Sequence, residues 1–229
     1  MDTFNGFSKE VFQLLVDLEK ENSRGWFKKN AKAYEKEVVE PAYSLIETLG
    51  GHLQFLAPGL HYEANDKHSG SLTRLPLKGK EAYKGEVEMS WWLGEGKKSD
   101  SIGFHFALDA RGGYVKVGVE QFSRDYLQAY RDAMVDDKLG VAFDHALAAV
   151  KQAGHFRLEG QSYKRTPRGY DSKHQHAPWL LYSGFLICSQ HFSRRQVTSG
   201  QLVDLSMEQF YKMMPLLEWF LAVGETVKE

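Results

Sequence analysis

Between residues 160 and 179 the chain gathers side chains that can hold or transform an anion. Lys164, Arg165, Arg168 and Lys173 are cations, His174 and His176 imidazoles, Asp171 a carboxylate, and Tyr163, Tyr170 and Trp179 aromatic rings. A guanidinium group offers two parallel N–H donors that match a phosphate or carboxylate, so Arg165 and Arg168, with Lys164 beside them, form a candidate grip for a small anion. Tyr170 would flank it. If the bound molecule reacts, His174 or Asp171 is the candidate general base. Asp171, His174 and His176 also have the residue types of a metal-dependent hydrolase, but no Cys or Glu stands at a diagnostic spacing, and neither a metal nor another cofactor is expected. A solvated basic turn would have the same composition.

A second basic stretch lies upstream, where Lys78, Lys80 and Lys84 surround Tyr83 and Arg74 stands at the edge. If the two stretches meet, Arg74, Lys80, Tyr83 and Lys84 form one wall of a cationic cleft and Lys164, Arg165, Arg168 and Tyr170 the other. Other candidates have simpler explanations. Cys188 sits among Phe185, Leu186 and Ile187, which predicts a buried, inert thiol. Ser189-Gln190-His191 gives no nucleophile elbow, and Gly94-Glu95-Gly96 lacks the third glycine of a dinucleotide fingerprint. His105 stands in a strand between Phe104 and Phe106, as a sheet-surface or satisfied core residue.

Presenting these loops requires a scaffold, and the apolar spacing supplies it. Val11, Leu14, Leu15 and Leu18 fall at i, i+3, i+4 and i+7 behind Ser8, predicting a capped amphipathic helix. A second helical run carries Phe27, Tyr34, Val38, Leu45, Ile46 and Leu49, with a kink or restart at Pro41 and an end at Gly50-Gly51. Residues 58–85 are rich in turn formers and have poor periodicity, marking an irregular segment. Strands follow over 87–92, 102–108 and 114–119, the last two joined as a hairpin through Asp109 to Gly113. Ser123 caps a helix with Leu127, Tyr130 and Met134, and a further helix carries Leu139, Phe143, Leu147 and Val150 as far as Gly154. Residues 156–158 and 162–164 are candidate short strands, Pro178 starts a short helix, and 185–188 is a buried strand. Ser206 and Gln209 have the spacing of a capping box opening a C-terminal helix with Phe210, Met213, Met214, Leu217, Phe220 and Leu221 on one face. This order predicts a single α+β domain over residues 1–229, a central, mainly antiparallel sheet packed by amphipathic helices from both ends.

Composition narrows the partners. The chain has 29 Lys plus Arg against 30 Asp plus Glu, a formal net charge of −1, so no global positive field recruits nucleic acid and any anion site must be local. One cysteine among 229 residues excludes an internal disulfide and fits a reducing compartment. Residues 1–6 lack the basic start and apolar run of a signal peptide, and no window approaches the ~18 apolar residues of a bilayer span. A cytoplasmic protein without membrane contact is expected.

Three segments share a family pattern. Asn22-Ser23-Arg24-Gly25-Trp26-Phe27-Lys28-Lys29-Asn30, followed by Tyr34, Val38 and Pro41, is similar to an Asn-x-x-x-Trp-Phe-x-x-Asn segment with a following Tyr and Val-x-x-Pro. Lys78-Gly79-Lys80-Glu81-Ala82-Tyr83-Lys84 is similar to Lys-Asp-Lys-x-Pro-Tyr-Lys. The run from Tyr163 to Asp171, with His174, is similar to Leu-Lys-Arg-x-Pro-Lys-Gly-Phe with Asp-x-x-His. On these motifs the chain resembles an uncharacterised bacterial and fungal family catalogued as domain of unknown function 2461. Gly79 and Ala82 depart from the pattern, Arg74 alone stands for an arginine-rich run, and Gln175 replaces a proline. The resemblance implies one domain and a pairing of the two basic motifs, and brings no activity. The residues themselves support a module for a small anionic ligand, such as a phosphorylated one; the alternative is a non-catalytic interaction domain presenting Trp91, Trp92 and Trp179 to a protein partner.

Overall fold

A computed structural model describes residues 4–64, 71–73, 85–94 and 98–227. Its helices are α1 (Glu10–Lys20), α2 (Arg24–Tyr34), α3 (Glu40–Leu56), α4 (Arg124–Val135), α5 (Leu139–Ala153), α6 (Arg194–Val197) and α7 (Leu202–Glu225). Its strands are β1 (Leu60–His61), β2 (Leu72–Thr73), β3 (Glu86–Leu93), β4 (Gly103–Asp109), β5 (Gly112–Val119), β6 (Arg157–Gln161), β7 (Tyr182–Cys188) and β8 (Phe192–Ser193). The architecture is α+β, a mainly antiparallel open sheet flanked by helices. Two compact units divide the residues: one holds residues 1–93, 105–115 and 190–209, the other 94–104, 116–189 and 210–229.

In the first unit, α1 buries Val11, Leu15 and Leu18 on the stripe its spacing foretold. Its cap differs from expectation. Ser8 Oγ donates to Glu37 Oε2 at 2.5 Å, and Lys9 occupies the N-cap without a side-chain bond. The hydroxyl is drawn away because Glu37, on a π-helical turn over Glu35–Val39, offers a charged acceptor. That turn absorbs the irregularity expected at Pro41: helical backbone continues through it into α3, with the Glu40 amide donating to the Glu35 carbonyl, and Pro41, which has no N–H to give, follows directly. α3 then runs through Gly50 and Gly51 instead of ending there. Gly50 is buried, and a Cβ on it would meet the Tyr62 ring, so the glycine serves a close approach. α3 lies against β3, where the buried Trp91 donates its indole N–H to the Ile46 carbonyl at 2.9 Å. β1 and β2 both pair antiparallel with β3, giving two pieces of the supposedly irregular segment 58–85 regular pairing. The capping box occurs at Ser193 and Gln196, opening α6. Ser206 is instead buried within α7, whose helical residues Leu202 to Leu205 precede it.

In the second unit, β5 pairs β7 (Lys116↔Cys188 to Val119↔Phe185) and β7 pairs β6 (Arg157↔Cys188 to Gln161↔Tyr182), both antiparallel. The expected second short strand at 162–164 is absent. The register of β6 shifts between Glu159 and Gln161, where Gly160 takes φ +110°. Phe143, Phe185, Trp219 and Phe220 form the aromatic centre, with Phe143 edge-on to both Phe185 and Trp219. Against it pack α4 and α5.

Candidate anion site

α4 begins where Ser123 Oγ accepts from the Tyr126 amide at 3.2 Å. Its inner face buries Tyr126, Tyr130, Ala133 and Met134, which leaves Gln128 and Asp132, four residues apart, on one outer face. α5 starts at a carboxylate: Asp136 Oδ1 accepts from the Leu139 and Lys138 amides at 2.8 and 2.9 Å, and these bonds hold its carboxyl below the ordinary range.

Loop 162–176 is fastened to these helices. At its start the Ser162 and Tyr163 amides both donate to the Leu181 carbonyl, and the Arg131 guanidinium lies 5.0 Å from the Tyr163 ring centroid. In its middle Tyr170 Oη donates to Asp132 Oδ1 at 2.7 Å and accepts from Gln128 Nε2 at 2.8 Å. Burial, and then the bond to Asp132, push the Tyr170 phenol up to about 12, so it stays a donor at neutral pH. Tyr170, expected to flank the ligand, thus turns its hydroxyl onto α4.

The two histidines divide. His174 is half-buried, and its Nδ1 accepts from the His176 amide at 3.1 Å. The lone pair of the neutral ring is thereby committed, and Nε2–H is left as a donor. His176, one of a loop pair that sequence alone places at the surface, is 3% exposed. Its Nδ1 lies 2.7 Å from the Met134 carbonyl and its Nε2 2.9 Å from Asp144 Oδ2. Both His176 nitrogens face acceptors inside the fold, and among the described residues Asp171, His174 and His176 are not placed to hold one ion together. Asp171 is exposed and its Oδ1 accepts from the Lys173 amide at 2.9 Å, shaping its own turn.

Lys164, Arg165 and Arg168 point outward and are exposed. Among the described residues none of the three is in an ion pair. Arg74, Lys80, Tyr83 and Lys84 lie outside the described residues.

Sequence reasoning missed Gln128, Arg131, Asp132 and Asp144. The i, i+4 spacing of Gln128 and Asp132 shows that they share a helix face, but nothing local ties that face to residue 170. It also missed a cluster in the first unit. There Asp109 Oδ1 accepts from the Arg111 and Gly112 amides, while Oδ2 accepts from Arg111 Nη2 at 2.7 Å and His191 Nε2 at 3.1 Å. The tyrosine Tyr114 packs on His191 at 4.6 Å and donates to Glu86 at 2.7 Å. Burial raises the Asp109 carboxyl, but the bonds from Arg111, His191 and Gly112 outweigh it and leave it below the ordinary range. His105 is buried in the core, with Nδ1 3.0 Å from Ser90 Oγ. Cys188 is buried, and burial pushes its thiol up to about 12. Of the tryptophans proposed to meet a partner, Trp91 is fully buried and Trp92 and Trp179 are half-buried.

No helix among the described residues is long and apolar enough to cross a membrane. No curated protein is significantly similar to the chain. A family profile described as a conserved hypothetical protein (DUF2461) matches residues 10–219, nearly the whole length, and the chain belongs to that family.

Proposed function

We propose that loop 162–176 binds a small anion, with a phosphorylated cytoplasmic metabolite the best fit. Lys164, Arg165 and Arg168 supply charge, and His174 adds an N–H donor. One observation carries this reading: the loop is stapled by Arg131, Asp132, Gln128 and Asp144, yet its three outward cations have no carboxylate partner among the described residues. A basic turn that serves solubility alone needs no such fastening, whereas a site gains affinity when its donors are ordered beforehand. Of its two candidate bases, His174 has Nδ1 engaged by the His176 amide, whereas Asp171 accepts from the Lys173 amide at one oxygen only.

Thermal unfolding with sulfate, phosphate, nucleotides and sugar phosphates tests the reading. An anion at a hundredfold over its Kd adds about 2.7 kcal/mol of stability, and Arg168→Ala should abolish most of that gain. No stabilisation by any anion, or full stabilisation of Arg168→Ala, sinks it. The upstream stretch enters on sequence grounds only; Lys84→Ala, measured alongside, shows whether it shares the ligand.

A further inference from the structure

His176 is buried between two acceptors from different helices. The Met134 carbonyl is among the last of α4, where carbonyls lack intrahelical partners and the helix dipole is negative; Asp144 comes from α5. To donate to both, the ring must carry a proton on each nitrogen. In a neutral ring one of the two contacts sets a nitrogen lone pair against an oxygen. The ring cannot turn away to water: Phe143 stands edge-on to it at 6.4 Å, and a Cβ on Gly140 would lie 2.9 Å from it. Among the described residues, Asp144 and His174, whose ring lies 5.4 Å away, are the titratable groups in contact with it. His176 is also joined to the loop backbone, donating its amide to His174 and accepting at its carbonyl from the Trp179 amide.

We propose that His176 is a doubly protonated clamp that orders loop 162–176, so that anion binding at this loop is coupled to uptake of one proton. This rests on the anion-site reading above. Deprotonation removes one of the two anchors, loosens the backbone around His174, and disperses the cations. The coupling requires the charge on Asp144: an asparagine there donates its amide to the Nε2 lone pair of a neutral ring and closes the clamp without a proton.

Sulfate, which does not titrate near neutrality, is the probe. Its Kd is measured by NMR at constant ionic strength across about two units on either side of the ordinary imidazole value near 6.5. In wild type, and in a His174→Gln background that removes the neighbouring imidazole, affinity should fall by up to about tenfold per pH unit on the alkaline side, as one linked proton requires. In His174→Gln/Asp144→Asn it should be flat with pH. A flat profile before Asp144 is changed, or the same slope after, overturns the clamp. If sulfate binds at no pH, the anion reading fails and the clamp is judged on two other readouts. The His176 ring should show two N–H groups by nitrogen NMR at the acidic end of this range. Tryptic cleavage after Lys164, Arg165, Arg168 and Lys173 should accelerate with pH in wild type relative to Asp144→Asn. One ring proton, or equal cleavage, overturns the clamp.

Discussion

Gly140→Ala is a sharp probe of how loop 162–176 is held. Gly140 is the second residue of α5, and in an open helix the change to alanine stabilises by up to about 1 kcal/mol. Here the new methyl carbon would lie 2.9 Å from His176 Cε1, from His176 Nδ1 and from the Met134 carbonyl oxygen. None of these atoms can yield freely, since the ring is bonded on both sides and the oxygen belongs to α4. Forcing a methyl into such a place costs roughly 1–3 kcal/mol. Expelling the ring instead forfeits hydrogen bonds worth about 1.5–3 kcal/mol each when one partner is charged. The cheaper route sets the outcome, and after the helix gain is subtracted the expected net loss is on the order of 1 kcal/mol. Urea unfolding measures it as a lowered midpoint at unchanged slope. Gly51→Ala in α3, where a Cβ meets nothing within 4 Å, is the control and should gain up to about 1 kcal/mol. If Gly140→Ala raises the midpoint as Gly51→Ala does, the packing of His176 against α5 is wrong.

Tyr170→Phe removes the hydroxyl shared by Asp132 and Gln128 and should cost about 0.5–1.5 kcal/mol, with faster tryptic cleavage at Arg168; unchanged cleavage would show that the staple does not order the loop. Asp109→Asn should lower the urea midpoint at neutral pH. Because the folded Asp109 carboxyl sits below its ordinary value, its contribution is present above about pH 4 and lost as pH falls through the folded value, so the gap between variant and wild type should narrow toward pH 3. A gap independent of pH would show that the carboxylate charge is not what binds Arg111 and His191. Cys188 should resist a thiol reagent in the native protein and react on unfolding; stoichiometric native labelling would contradict its burial.

The elements set by local spacing were legible in the sequence. The Val11–Leu18 stripe, the β4–β5 hairpin and the Ser123 cap all appear where residue order places them, because each depends on neighbours within a turn or a tight loop. Errors arose where a local signal had a distant competitor. Ser8 found Glu37, 29 residues away, and Gly50 found Tyr62. The Ser206 box was overridden by helical residues before it, since an N-cap must leave the helical conformation and Ser206 does not. Loop 162–176 was legible as a concentration of cations. Its attachment was not: Asp132, Met134 and Asp144 stand 32 to 42 residues before their partners in the chain. His176 shows this most plainly, since a histidine beside Gln175 looks solvated until its two acceptors are known.

The irregular strand β6 carries a consequence for how the protein behaves in a crowded solution. It ends the strand order of the sheet, the position at which a foreign chain could add itself and seed an aggregate. Gly160 breaks the run of β6, and Arg157 and Glu159 place an ion pair on it, with Arg157 Nη2 2.7 Å from Glu159 Oε1. The kink and the charges therefore make this sheet edge a poor template for a second chain.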